Sequence, residues 1–179
     1  MDTSKILFAG SVGAGKTTAI EAVSVIEPVK TEANCSFTQN KSTTSTTVAM
    51  DYGVMQADDG RRLHLYGVPG QKRFDFMWDI LSSDDMGLIL LIDNTSFNPF
   101  QDLAFFLKTF ENFVMREQIV IGVTQMDRSS IPALEDYSLE LSNNGFNIPL
   151  LPVDARERLD ISELVHTLMY RMSSLQAVA

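Results

Sequence analysis

Short blocks of hydrophobic residues alternate with longer blocks of mixed polarity along this chain. The apolar runs predict strands at residues 5–9, 47–52, 62–66, 87–93, 118–124 and 149–153. Helix-length segments lie between most of them, at residues 16–26, 71–82, 99–116, 131–143 and 159–175. Strands that alternate with helices indicate an α/β domain with a mainly parallel sheet, since parallel neighbours need a crossover connection.

The second and third of these strands depart from the alternation. They are joined through Asp58-Asp59-Gly60, and because Asp-Gly is a hairpin signal they should be antiparallel neighbours. The sequence therefore predicts a six-stranded, mixed, mostly parallel and doubly wound sheet with one antiparallel hairpin and about five helices. Residues 31–46 are polar, rich in Ser and Thr and without periodicity, so we expect a flexible loop there.

Bulk properties narrow the class of protein. The 179 residues fit a single domain over positions 1–179, and 45% hydrophobic with 21% charged residues is ordinary for a globular protein. The net charge of −9 argues against nucleic acid as a partner. The single cysteine, Cys35, excludes an internal disulfide, and no apolar run reaches the length of a membrane span. Without a signal-peptide core or lipidation motif, we expect a cytoplasmic protein with no intrinsic membrane anchor.

The segment between the first predicted strand and the first predicted helix carries the clearest chemistry. It reads Gly10-Ser-Val-Gly-Ala-Gly15-Lys16-Thr17 and fits the pattern G-x-x-x-x-G-K-[ST] of the phosphate-binding P-loop. Glycines let consecutive backbone N–H groups point inward, and the helix N-terminus adds the positive end of its dipole. The residues predicted to bind nucleotide here are Gly10, Ser11, Val12, Gly13, Ala14, Gly15, Lys16, Thr17 and Thr18.

Two side chains of this loop have separate predicted roles. The Lys16 ammonium should reach the β- and γ-phosphates, and the Thr17 hydroxyl should ligate Mg²⁺, the expected cofactor. The alternative is a glycine-rich turn with an incidental Lys-Thr pair. The apolar strand before the loop and the helical pattern after it favour the P-loop.

The third strand is followed by Gly67-Val-Pro-Gly70-Gln71, and here the chain resembles the Ras-like small GTPases. Their switch II has an Asp, two further residues, then Gly and usually Gln. The Val-Pro-Gly-Gln run is similar to a bacterial branch, the gliding-motility and cell-polarity (MglA-like) GTPases and their relatives associated with roadblock proteins. The resemblance implies that the Gly70 amide senses the γ-phosphate and that Gln71 orients the attacking water.

Gly67 stands where that family has a carboxylate that helps to organise Mg²⁺. Without it the ion would depend on Thr17, a switch I threonine and the phosphates, with Asp93 as a candidate contributor from the end of the fourth strand. The alternative for Asp93 is a loop cap. Alignment of Val48-Ala-Met-Asp-Tyr52 with the same branch selects Thr47 as the switch I ligand, with Thr46 as the fallback.

Two further segments resemble the motifs by which this family selects the nucleotide base. Thr124-Gln125-Met126-Asp127 resembles the guanine motif N-K-x-D, with Thr124 and Gln125 in place of Asn and Lys. A carboxylate at Asp127 accepts from guanine N1 and N2 and rejects adenine, which presents a lone pair at N1. After the last strand, Asp154-Ala155-Arg156 resembles the family's Ser-Ala-Lys, so the Ala155 amide is expected to meet guanine O6 and Arg156 to cover the base.

Together these features imply a GTP/GDP switch that hydrolyses GTP to GDP and phosphate. The implied catalytic residues are Gln71, Lys16 and Thr47, and the implied metal ligands are Thr17 and Thr47. Residues 31–47 contain no Arg, so we expect slow hydrolysis that a partner accelerates. The implied partner is a roadblock-type or other protein at the two switch segments, in bacterial signalling, motility or polarity. The alternatives are a degenerate P-loop scaffold and, ranked below it, a P-loop kinase.

Overall fold

The computed structural model describes residues 4–39, 42–69 and 86–176, apart from the side chains of residues 30–49, 175 and 176. Seven strands and five helices alternate along this part of the chain. The strands are β1 (Ser4–Gly10), β2 (Val29–Gln39), β3 (Ser42–Gln56), β4 (Arg62–Gly67), β5 (Met86–Asp93), β6 (Ile119–Thr124) and β7 (Leu150–Pro152). The helices are α1 (Lys16–Val23), α2 (Pro99–Thr109), α3 (Glu111–Met115), α4 (Leu134–Asn143) and α5 (Arg158–Gln176).

All seven strands form one mixed sheet in the order β2-β3-β4-β1-β5-β6-β7. β4, β1, β5, β6 and β7 are parallel neighbours, which confirms the predicted α/β class with a mostly parallel sheet. The predicted hairpin is also confirmed, because β3 and β4 pair antiparallel on either side of Asp58-Asp59-Gly60.

The strand at the edge of the sheet was not expected. Residues 31–46 were predicted as a flexible loop. Residues 31–39 instead form most of β2 and residues 42–46 the first part of β3, and the two strands pair antiparallel from Val29–Tyr52 to Gln39–Ser42. The prediction of six strands and one antiparallel pair was therefore wrong by one strand. Threonine, which recurs here, favours extended backbone, and a ladder of backbone hydrogen bonds needs no apolar periodicity to form.

The sheet is buried on both faces by helices. Along β1, Ile6 and Phe8 belong to one hydrophobic cluster, with residues of α1 and α5, while Leu7 and Ala9 belong to the other, with residues of α2 and α4. This alternation follows from the two-residue period of a strand. Strands buried on both faces read as continuous apolar runs, which is why β1, β5 and β6 were predicted within two residues of their observed ends.

Helix ends differ from the predicted ones where local backbone geometry intervenes. The helix predicted over 99–116 is divided at Phe110, whose φ of −104° and ψ of 31° separate α2 from α3. α1 ends at Val23 because Ser24 is extended, and α4 begins only after Pro132. The helix predicted at 71–82 lies outside the described residues. In the part of the chain that the structure covers, no helix is both long and apolar enough to cross a membrane.

The connectivity places the predicted chemistry at one edge of the sheet. The loops that follow β1, β5, β6 and β7 all leave from the carboxyl ends of neighbouring parallel strands. In open α/β sheets this edge, where the connections diverge to the two faces, is where ligands bind. The P-loop, Asp93, Asp127 and Asp154 all belong to these loops or to the strand ends beside them.

Candidate functional site

The loop between β1 and α1 has the geometry of a phosphate cradle. Gly10, Gly13 and Gly15 have φ of 142°, 88° and 95°, a region that side-chain-bearing residues rarely adopt. The Lys16 ammonium bridges the start of the loop, donating to the carbonyls of Gly10 at 2.8 Å and Ser11 at 2.7 Å. The loop is thus closed on itself by the cation that is predicted to contact phosphate.

Gly15 shows why the loop admits no larger residue at that point. A Cβ built there would lie 2.7 Å from the Cβ of Ala155, closer than real Cβ atoms approach. Ala155 is buried and belongs to the Asp154-Ala155-Arg156 segment. The P-loop and the segment after β7 are therefore packed against each other, although 140 positions separate them in the sequence.

The pKa of Lys16 lies closer to neutral pH than that of a surface lysine. Burial lowers the pKa of Lys16 to about 8, and the nearby Asp51 carboxylate partly opposes this by raising it. Near neutral pH the side chain remains mostly protonated, as a phosphate ligand must be. A second anion beside it, such as a phosphate, would stabilise the charged form further.

Asp51 is a site residue that the sequence analysis missed. It lies on β3, and its Oδ2 accepts a hydrogen bond from the Thr17 hydroxyl, the group predicted to ligate Mg²⁺. Its direct partner across the β3–β4 ladder is Gly67, the position where the Ras-like GTPases that the sequence resembles have an Asp. A Cβ at Gly67 would lie 3.1 Å from the Asp51 Cβ and 3.3 Å from its Oδ2. The space that a carboxylate on β4 would need is occupied by a carboxylate from the next strand.

Asp93 has the alternative role of a loop cap. Its Oδ1 accepts from the Thr95 backbone N–H at 2.8 Å and from the Thr95 hydroxyl at 2.7 Å. These bonds close the turn after β5, the cap geometry typical of Asp at a strand end. No described contact joins Asp93 to Thr17, whereas Asp51 accepts from the Thr17 hydroxyl, so Asp51 is the better-supported candidate for organising the ion.

The two departures from the guanine motif retain contacts with the P-loop. The buried Thr124 hydroxyl donates to the Ala14 carbonyl at 3.0 Å, and the Gln125 amide donates to the Gly13 carbonyl at 3.0 Å. Gln125 also accepts from Arg128 at 2.8 Å. A hydroxyl and an amide thus link the segment after β6 to the phosphate loop directly.

Asp127 and Asp154 lie on either side of one guanidinium. Arg156 contacts Asp154 three times, at 2.5, 2.8 and 3.1 Å, and Asp127 once, at 3.2 Å. Hydrogen bonds from Arg156 lower the pKa of Asp154 to about 2, and the same pairing raises the pKa of Arg156. Asp154 is therefore charged at neutral pH. Asp127, the more loosely held of the two, remains exposed.

A cavity of about 220 Å³ joins these segments. Its lining combines residues of the P-loop, the segment after β6 and the segment after β7, namely Gly13, Ala14, Gly15, Thr18, Thr124, Gln125, Asp127, Arg128, Asp154, Ala155 and Arg156. A larger cavity of about 420 Å³ lies between α2, α3 and α4, but its lining is mainly apolar and contains none of the predicted site residues. Polar groups from three segments converge only in the smaller cavity of the two, so we take that cavity as the candidate site.

Other predicted site residues are placed only in part. Gly70 and Gln71 lie outside the described residues. The backbone of Thr47 lies within β3 opposite Asn34, but the side chains of Thr46 and Thr47 are not described. Among the residues that are described, no group of three or more His, Cys, Asp or Glu side chains could hold a metal ion. A cation at this site would therefore need oxygen ligands from Thr17 and from a bound phosphate.

Comparison with known proteins agrees with the fold. The structure is similar to that of a mutant of S. thermophilus NFeoB bound to GDP, with a TM-score of 0.66, 14% sequence identity and 97% of this chain covered. The alignment covers 64% of the NFeoB chain. The fold is therefore that of a P-loop GTPase domain. At this low identity the likeness concerns the fold and not the chemistry.

A comparison of sequences gives one shorter match. The chain is 34% identical over 92 residues to the uncharacterized protein MJ1339 of Methanocaldococcus jannaschii. The match takes in 50% of this chain and 51% of that protein, so the chain spans about half the length of the curated relative it matches. No protein-family model matches the sequence.

Proposed function

We propose that this protein binds GTP and GDP and acts as a molecular switch that hydrolyses GTP with Mg²⁺. One observation carries the proposal: the P-loop, Asp127 and the Asp154–Arg156 segment line one cavity at the ligand-binding edge of the sheet. The neighbour of similar fold was crystallised with GDP, which supports a guanine nucleotide as the ligand. Phosphates would occupy the P-loop side of the cavity, and the base would occupy the side beside Asp127.

Guanine selectivity would come from Asp127. Its carboxylate is exposed toward the cavity and can accept from both N1–H and the N2 amino group, whereas adenine offers neither donor in that arrangement. Arg156 would release its single contact with Asp127 and keep its three contacts with Asp154, which places its planar guanidinium beside the base. The backbone N–H of Ala155 would meet guanine O6.

Mg²⁺ would be held at the Thr17 hydroxyl and the phosphates, with a carboxylate behind them. The residues fit such an ion, because hydroxyl, carboxylate and phosphate oxygens are the ligands that Mg²⁺ takes. Since Thr17 donates its proton to Asp51, the lone pairs of its oxygen are free to face a cation. The ion would supply positive charge beside the phosphates. Asp51 would thus replace the carboxylate missing at Gly67, acting through Thr17 and ordered water.

In the hydrolytic step, a water oxygen bonds to the γ-phosphorus while the bond to the β–γ bridging oxygen breaks. The electron pair of that bond stays on GDP, and the water proton passes to the released phosphate. Lys16 would neutralise the charge that develops on the bridging oxygen, and by the family resemblance Gln71 would orient the water and Thr47 would bind the ion. No Arg occurs in residues 31–47, so we propose that hydrolysis is slow until a partner supplies positive charge.

The cellular role proposed for the switch rests on the family resemblance. Reordering of residues 31–47 and 67–82 between the two nucleotide states would be read by a roadblock-type or other protein partner. The resemblance suggests a setting in signalling, motility or polarity. The net charge of −9 speaks against a nucleic-acid partner.

Two alternatives make different demands on the site. A degenerate scaffold that binds nucleotide or nothing, without hydrolysis, would have no need of a water-positioning amide, and the sequence has Gln71. A P-loop kinase would need arginines to clamp a second phosphorylated substrate. Arg61 and Arg62 lie at the β3–β4 hairpin, away from the cavity. The two arginines that line the cavity, Arg128 and Arg156, are engaged by Gln125 and Asp154. These observations favour the switch over both alternatives.

The decisive experiment exchanges the base preference at Asp127. Nucleotides would be competed against a fluorescent GDP analogue in Mg²⁺, for the wild type and for Asp127→Asn. An asparagine amide donates where the carboxylate accepts, so the variant should lose about 100-fold or more in GDP affinity and gain affinity for XDP, whose C2 carries an oxygen. A gain of XDP binding also shows that the variant is folded. Equal affinity of the wild type for ATP and GTP would favour a kinase, and no binding of either would favour the scaffold.

A further inference from the structure

One buried side chain near the cavity is left unexplained by the proposed contacts. Asn94 follows β5 directly and is 2% exposed, one of two buried polar residues among those the structure describes. A buried amide costs free energy unless all its hydrogen bonds are made. Asn94 uses both of its amide hydrogens and its side-chain oxygen, and three of its four partners lie in the 124–132 segment, which carries Asp127.

Asn94 holds both ends of that segment. At the entry, its backbone N–H donates to the Thr124 carbonyl at 3.1 Å. At the exit, its side-chain Nδ2 donates to the carbonyls of Ser129 at 2.6 Å and Pro132 at 3.1 Å. The residues that recognise the base lie between these attachments, in a turn closed by the N–H groups of Arg128 and Ser129 on the Gln125 carbonyl.

The orientation of the Asn94 amide is fixed from the other side by α4. The Tyr137 hydroxyl, on a side chain with no exposed surface, donates to the Asn94 Oδ1 at 2.6 Å. Burial, with a smaller contribution from nearby acidic residues, raises the pKa of Tyr137, so this hydroxyl remains a donor at all physiological pH values. Because Nδ2 donates to two carbonyls and Oδ1 accepts from a hydroxyl, the Asn94 amide group can adopt only one orientation.

We infer that Asn94 is a positioning residue for base recognition, which clamps the 124–132 segment so that Asp127 meets both guanine donors at once. This inference rests on the proposed function. The clamp continues into the P-loop, since Thr124 and Gln125 bond to the Ala14 and Gly13 carbonyls. Hydrogen bonds thus connect α4 through Asn94 to the 124–132 segment, and that segment to the P-loop.

The test compares GDP with IDP, which lacks the 2-amino group. The wild type should bind GDP more tightly than IDP, because a two-point contact with Asp127 depends on accurate placement. In Asn94→Ala, Asp127 loses that placement, and the ratio of the IDP to the GDP dissociation constants should fall about tenfold. Phosphate contacts are common to both nucleotides, so a purely structural loss would weaken both equally and leave the ratio unchanged.

Two further variants keep this test decisive. Val165→Ala changes a buried residue of α5, in the hydrophobic cluster that does not contain Tyr137; it controls for loss of stability and should retain the wild-type ratio. Tyr137→Phe removes only the outer hydroxyl and should lower the ratio about two- to threefold; it carries the test if Asn94→Ala does not fold. An unchanged ratio in the folded Asn94 and Tyr137 variants overturns the clamp alone. A wild type that fails to prefer GDP over IDP overturns the clamp and the proposed guanine recognition together.

Discussion

The two ends of the cavity depart in opposite ways from the motifs of the Ras-like GTPases that the sequence resembles. At the base end, formed by Thr124, Gln125, Asp127 and residues 154–156, the positions match the family motifs while several residue types differ. At the phosphate end, formed by residues 10–17 and Asp51, the residue type of the missing carboxylate is kept but its position is not, because it comes from β3 rather than β4. The contrast shows two ways in which a site can depart from a motif: a different residue type at the same position, or the same residue type at a different position.

The same contrast extends to electrostatics. At the base end, Asp154 is paired with an exposed arginine and has a pKa of about 2, so the charge of Asp154 does not change near neutral pH. At the phosphate end, the pKa of Lys16 is about 8 because the side chain is partly desolvated. The phosphate end is thus the one whose charge responds to pH and to the loss of a neighbouring carboxylate.

The largest effect should come from removing the relocated carboxylate. Asp51→Ala takes away the acceptor of the Thr17 hydroxyl, and loss of such a supporting contact costs about 10- to 100-fold in metal affinity. We expect the Mg²⁺ concentration that half-saturates GDP binding to rise by that factor, as measured with a fluorescent GDP analogue. Binding in EDTA should change much less. Asp93→Ala, which removes a loop cap, is the matched control and should behave as the wild type.

Moving the carboxylate from β3 to β4 gives a sharper test of this prediction. In the double variant Asp51→Gly with Gly67→Asp, the carboxylate returns to the strand that carries it in the related GTPases. Deleting the Asp51 side chain removes the nearest atoms that a Cβ at Gly67 would meet, apart from the Ile20 methyl at 3.0 Å. We expect the double variant to recover Mg²⁺ dependence to within about tenfold of the wild type. A Mg²⁺ dependence that is unchanged in Asp51→Ala would contradict the relocation altogether.

The base end should respond more moderately to a matched change. Thr124→Val keeps the shape of the side chain but leaves the Ala14 carbonyl without its hydroxyl donor. An unpaired buried group costs about 1–3 kcal/mol, so GDP affinity should fall about tenfold and the free energy of unfolding should drop by about 1–2 kcal/mol. Both are measurable, by competition binding and by urea denaturation. Thr95→Val removes a hydroxyl that bonds only within the turn after β5 and serves as the control. Full affinity in Thr124→Val would show that the bond to the P-loop does not matter.

Much of this arrangement could be predicted from the sequence, and the failures have physical causes. Strands buried on both faces have continuous apolar sequences, which is why the sequence predicts β5 and β6. The P-loop and Asp127 can be predicted because their motifs have fixed spacings. β2 was missed because a ladder of backbone hydrogen bonds leaves no hydrophobic pattern. Links between distant segments, such as Thr124 to Ala14, are invisible to any local pattern.

The position of Asp51 was, in contrast, open to inference. A hairpin centred on Asp59 places residues equally distant from it opposite each other, and Asp51 and Gly67 are such a pair. The strand register therefore places the Asp51 carboxylate on β3 directly opposite Gly67, where the expected carboxylate is missing. What the sequence did not provide was the direction of that side chain relative to Thr17, which depends on how β3 is twisted and packed beside α1.

The smallest expected effect is a pH dependence of GDP affinity that arises at the phosphate end of the cavity and not at the base end. With the pKa of Lys16 at about 8, the protonated fraction falls from about nine-tenths at pH 7 to about one-quarter at pH 8.5. Since only the ammonium attracts phosphate, the affinity for GDP should weaken roughly fourfold over this range, while Asp154 and Arg156 keep their charges throughout. In Asp51→Asn the favourable carboxylate charge is lost, so the same decline should begin at lower pH. An affinity that stays constant from pH 7 to 8.5 would mean that Lys16 is fully charged in the empty cavity, and that the phosphate end is as insensitive to pH as the base end.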